Sequence, residues 1–165
     1  MAPVSQEWEP PTKPGRFTAI VLAAQERDKK NQKSRDEQAA KDNRRNQARD
    51  VWTERKKELP AIVDSINRML RDHGYEGLTV GVFDSKHSDV DRTVIDFAHS
   101  VHSHTKILLC VTTAGEFTCA VGAVHNDASK INLPIEQLSE DRLKEVLAKA
   151  VEECLSGKRD QRSYP

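Results

Sequence analysis

From Gln25 to Asp50 the chain contains no leucine, isoleucine, valine or aromatic residue, and its only apolar side chains there are Ala39, Ala40 and Ala48. Such a segment has no face to bury. It is not a coiled coil, which needs apolar a and d positions in every heptad. The i,i+4 pairs Glu26/Lys30 and Glu37/Lys41 favour a helix. Asp28, Asn31, Ser34, Asp42, Asn43 and Asn46 are mediocre helix formers and oppose it. The expectation is a charged, mildly basic arm over 25–58, helical or partly disordered. Composition agrees, because 36% apolar and 32% charged residues depart from the roughly half and one quarter of ordinary globular domains. Part of this chain belongs to no core.

Residues 1–24 read as a flexible tail ending in a short apolar anchor. Pro3, Pro10, Pro11, Pro14 and Gly15 prevent regular structure at its start. Phe17, Ile20, Val21 and Ala24 then fall at i, i+3, i+4 and i+7, one face of a short helix. The β-branched pair Ile20-Val21 fits a strand equally well.

The span 59–157 carries the apolar patterning of a packed domain. Pro60 is expected to open or kink a helix, since proline is tolerated only in a first turn. Ile62, Val63, Ile66, Met69 and Leu70 follow as a stripe, and His73-Gly74 supplies the stop. Four strands come next: Leu78–Phe83, Thr93–Ala98, Thr105–Thr112 and Glu116–Val124 by alternation. The last two form a hairpin whose register can be argued. A two-residue Ala114-Gly115 turn would mix both faces. A three-residue loop Thr113-Ala114-Gly115, with Gly115 left-handed as a bulge, pairs Thr112 with Glu116 and gathers Ile107, Leu109, Val111, Phe117, Cys119, Val121 and Ala123 on one side. That register predicts a core Cys119 and a Cys110 facing away from it.

Ser139 reads as the N-cap of a final helix, with Glu140 and Asp141 in its first turn and a Leu138/Leu143 staple. Its stripe is Leu143, Val146, Leu147, Ala150, Val151, Cys154 and Leu155, and Gly157 ends it. The expected fold is α+β: a four-stranded antiparallel meander with helices on one face, ordered α-β-β-β-β-α, preceded by the long charged arm and followed by a short tail, 158–165.

Charge is zero overall but unevenly placed: +4 over residues 1–58, −6 over 59–157 and +2 over 158–165. A basic arm and tail flanking an acidic body bear on partners rather than on fold. No charged n-region with an apolar h-region opens the chain, so no secretory leader is expected. The longest apolar run, Ala19–Ala24, is far shorter than the roughly 18–20 residues of a membrane span, and no membrane partner is expected. Cys110, Cys119 and Cys154 are odd in number and lack CxxC spacing, which points to a reducing, cytoplasmic setting.

Chemistry-bearing residues are present but scattered. His99, His102 and His104 are weak metal candidates, as are Asp84, His87, Asp89 and Asp91. In a meander these groups occupy opposite ends of a strand, and neither matches a known ligand spacing. Cys110 and His104 lie six residues apart on one strand, about 20 Å, too far for a thiolate–imidazole pair. Gly74–Gly81 runs from helix to strand, the wrong order for a phosphate loop. No catalytic residue and no cofactor is expected.

Three functional readings follow. The leading one is a non-enzymatic interaction or adaptor module, self-associating or docking a protein partner through Phe17, Ile20 and Val21 and through an open sheet face bearing Leu108 and Val124. The alternative is a nucleic-acid-associated protein with Lys29, Lys30, Arg44, Arg45, Arg55, Lys56 and Lys57 on phosphates, weakened by the interleaved acids. The third is a small metal-dependent enzyme using the loop His and Asp residues.

Overall fold

A computed structural model describes residues 15–82, 89–100, 103–122 and 130–156, with the side chains of 82, 89, 99, 100 and 103 outside that description. Its elements are α1 (Arg16–Asp72), β1 (Gly77–Val82), β2 (Asp89–Ser100), β3 (Ser103–Thr112), β4 (Glu116–Val121), β5 (Lys130–Pro134), a 3-10 turn (Ile135–Gln137) and α2 (Glu140–Leu155). The chain is α+β. It divides into two compact units between Ala40 and Lys41.

In the first unit every residue from 16 to 40 is helical and exposed. The anchor Phe17–Ala24 is therefore helix and not strand. Spacing at i,i+4 brings together Gln32 Nε2, which donates to Asp36 Oδ1 at 2.9 Å, and Lys33 and Glu37 at 3.9 Å. Exposed pairs of this kind contribute only a few tenths of a kcal/mol each.

The second unit begins inside α1. Ala48, Trp52, Leu59, Ile62, Val63, Ile66 and Leu70 are buried along one face. Their spacing continues the predicted stripe backwards through Pro60, so the expectation that Pro60 opens a helix is corrected: Pro60 lies within α1. An interior proline costs about 3 kcal/mol, and each large apolar side chain buried around it returns about 1.5–3 kcal/mol. The stripe therefore outweighs the proline. Ala48 and Trp52 belong to the core although they lie within 25–58. The helix stops as Gly74 (φ 84°) predicts. Tyr75 N–H donates to the Leu70 carbonyl and Gly74 N–H to that of Arg71, both at 3.0 Å, the paired bonds of a Schellman motif.

The sheet has five antiparallel strands in sequential order, one more than the four expected. The additional strand, Lys130–Pro134, is short and ends in proline, which has no N–H for a ladder and so sits on a sheet edge. Its alternation covers only Ile131 and Leu133, too brief a pattern to read as a strand from sequence. The hairpin register is as predicted. Cys110 pairs with Thr118 and Leu109 with Cys119, Gly115 has φ 82°, and its N–H donates to the Thr112 carbonyl at 3.0 Å. The predicted residues Phe83, Ala123, Val124 and Gly157 lie outside the described residues.

One face of the sheet holds the core. Leu78, Ile95, Phe97, Ile107, Leu109, Val111, Phe117, Cys119 and Leu133 pack with the α1 stripe and with Leu143, Val146, Leu147, Ala150 and Val151 of α2. Ser139 caps α2, its Oγ accepting from the Arg142 N–H at 3.2 Å, and Leu138 and Leu143 are both fully buried. Asn67 ties α1 to the edge strand β1. Its Oδ1 accepts from the Leu78 N–H at 2.6 Å, and its Nδ2 donates to the Leu78 carbonyl at 3.0 Å.

Candidate functional site

The anchor residues stand on the first turns of α1. Phe17 is 79% exposed, Ile20 60%, Leu22 48% and Val21 39%. Phe17, Ile20 and Val21 are the expected anchor residues, and Leu22 extends the patch.

The basic residues separate into two groups. Lys29, Lys30 and Arg45 are exposed on α1. The other four hold carboxylates. Arg55 pairs with Glu58 at 2.8 Å, Lys57 with Glu54 at 2.7 Å and Lys56 with Asp91 at 2.7 Å. Arg44 grips the hairpin turn: its Nε donates to the Ala114 carbonyl at 3.0 Å, and its guanidinium forks onto both oxygens of Glu136. The turn is held from the far side as well, where Ile135 N–H donates to the Gly115 carbonyl at 2.9 Å.

A second polar junction joins α1 to β2. Asp91 accepts from Trp52 Nε1 and from Lys56 Nζ on one oxygen, and from the Arg92 N–H at 2.8 Å on the other. Partial burial pushes the Asp91 carboxyl up. The hydrogen bonds from Lys56 and Trp52 and the lysine charge outweigh that, so it sits below the ordinary carboxylate range. Trp52 also packs its ring 5.7 Å from that of Phe117. Neither junction is expected from the sequence, where Trp52 falls within the arm 25–58 and its partner Asp91 among the loop carboxylates.

Of the metal candidates, His104 is exposed on β3 with Nδ1 3.5 Å from Asp96 Oδ2. The side chain of His99, and His102, Asp84 and His87 entirely, lie outside the described residues. Among the described residues no three His, Cys, Asp or Glu groups are placed to hold a metal, and no helix is long and apolar enough to cross a membrane.

The outer face of the sheet carries Val94, Asp96, Leu108, Cys110, Thr118 and Ala120, all half-buried. Leu108 sits on this face as expected. The cysteines divide between the faces: burial, with Glu153 and Cys154 nearby, pushes the Cys119 thiol up to about 12, and burial beside Glu153 lifts Cys154 to about 11. In dilute protein near pH 8, Cys110 is expected to react first with a thiol reagent. Cys119 should lag, because the thiolate fraction at a pKa near 12 is only on the order of 10⁻⁴ at that pH. Mass mapping of timed labelling checks this, and equal rates for Cys110 and Cys119 would contradict the placement.

Set against known proteins, the chain gives no match to a family model, to a curated protein or to a solved structure.

Proposed function

We propose that the chain is a non-catalytic protein-docking module whose docking surfaces are the apolar patch at the start of α1 and the outer face of the sheet. One observation carries this reading. Of the seven large apolar side chains exposed among the described residues, four (Phe17, Ile20, Val21 and Leu22) lie within a single helical stretch. An exposed apolar cluster next to a long polar helix is a liability unless a partner covers it, and anchors at i, i+3 and i+4 are how an amphipathic helix enters a groove. The nucleic-acid alternative draws less support, because Arg44, Arg55, Lys56 and Lys57 are matched by carboxylates.

The test replaces Phe17, Ile20 and Val21 together with aspartate in the full chain. Circular dichroism and the melting temperature should stay at wild-type values, since among the described residues every core side chain lies at or beyond Ala48. Proteins that co-purify with the wild type, identified by mass spectrometry, should be lost from the variant. Retention of the same partners at the same yield would remove the anchor from the reading.

A further inference from the structure

We propose that the outer face of the sheet packs against the same face of a second copy, forming a two-fold dimer; this rests on the docking reading above and names the partner of the sheet face. The strand register sets outward-facing residues in cross-strand rows. The middle row runs Gly81, Val94, Leu108, Ala120 and Lys130, apolar in its interior. On one side of it lie Asp96 and Lys106. On the other lie Arg92, Cys110, Thr118 and Asn132. On β2, Arg92 and Asp96 therefore flank Val94 symmetrically, two residues to either side.

A two-fold axis lying along the middle row lays each strand over its own copy with the direction reversed. Val94 then meets Val94 and Leu108 meets Leu108. Arg92 of each copy faces Asp96 of the other, so the charge pair forms twice. Asp96 reaches this face through its other oxygen, since the side chain is 44% exposed and Oδ2 lies 3.5 Å from His104 Nδ1. An axis along β3 instead sets Lys106 on Lys106 and Arg92 on Thr118, matching no charge. In the first arrangement the like-charged Lys130 residues meet at the rim, exposed to water, where such pairs interact weakly. Face-to-face sheets pack with strand directions about 30° apart, which the reversed overlay accommodates.

Size sets the strength. Five strands about 4.8 Å apart and eight residue steps of about 3.3 Å give a face of at most roughly 24 by 26 Å. That area, roughly 620 Å², is the lower end of the range for specific interfaces, about 600–1,000 Å² per partner. The dimer should therefore dissociate on dilution through the micromolar range.

Sedimentation of the full chain tests this, reading mass between the 18.6 kDa of one chain and twice that value. Wild type should move from the lower to the higher mass as concentration rises, with Cys110 labelling slowing in step. Arg92→Asp and Asp96→Arg should each weaken the dimer at least about a hundredfold, because both facing pairs become like-charged. Mixing the two variants should restore a dimer, since every facing pair is then opposite. The double swap in one chain should dimerise too, which keeps the test open if a single variant fails to fold. Wild type that stays at 18.6 kDa into the high micromolar range overturns the proposal. So do single variants that dimerise like wild type, and folded variants whose mixture does not recover. None of these results touches the Phe17 experiment, so the dimer and the docking reading fail separately.

Discussion

Trp52→Ala is expected to lower the unfolding free energy of the 41–165 unit by about 3–5 kcal/mol, the usual cost of removing a large buried aromatic. Trp52 is 2% exposed and fills the space between α1 and β4, where it meets Phe117. The truncation leaves a cavity beneath the sheet. It also removes the indole donor to Asp91. Denaturant titration measures the effect, and a loss below about 1 kcal/mol would mean that the site collapses around the gap. Trp52→Phe separates the two contributions: it keeps most of the packing and loses only the donor, so about 1 kcal/mol is expected.

The same junction gives a pH signature. The Asp91 carboxyl is held below its ordinary value in the folded protein. A group depressed on folding contributes stability above its unfolded pKa, and that contribution is lost as the pH falls through the folded value. Asp91→Asn should therefore be less stable than wild type at neutral pH, and the two curves should converge below about pH 4. Parallel curves down to acid pH would assign the destabilisation to packing alone.

How far the fold could be read from the sequence followed how local each signal is. Gly74 as helix stop, Ser139 as cap and the Gly115 bulge are decided by neighbours a few residues away, and all three are present in the structure. The register of β3 on β4 needed only that one face segregate apolar residues, because a one-residue slip turns every side chain over. Pro60 as the opener of a helix, and a sheet without β5, fail because tertiary packing decides them. The proline penalty is local, whereas the burial that offsets it comes from a sheet absent from any sequence window. Lys130–Pro134 has too few apolar positions to declare itself, and it becomes a strand because β4 offers it an open edge. Arg44 and Lys56 read as phosphate contacts because charge is visible in sequence and its partner is not. Glu136 lies 92 residues from Arg44, and Asp91 lies 35 from Lys56.

Two deletions locate where the folding unit begins. Removing residues 1–40 is expected to leave the melting temperature within about 2 °C of the full chain, since residues 16–40 are exposed and belong to no core. Removing residues 1–50 takes ten residues more and should lower it by about 10 °C. Those ten include Ala48, fully buried in the core, and Arg44, whose guanidinium holds Ala114 and Glu136 across the hairpin turn. Losing a buried methyl and a partly exposed bidentate clamp amounts to about 2 kcal/mol. For a domain near a hundred residues each kcal/mol shifts melting by about 4–8 °C. The new helix start would also fall one residue before Trp52, exposing unpaired N–H groups beside the core. Calorimetry on the two truncated chains decides the matter. If both melt alike, Arg44 and Ala48 contribute nothing measurable and the unit begins after Asp50. If the shorter deletion already causes the full loss, residues before Lys41 support the fold, and the solvated arm inferred from the apolar gap at Gln25–Asp50 is wrong.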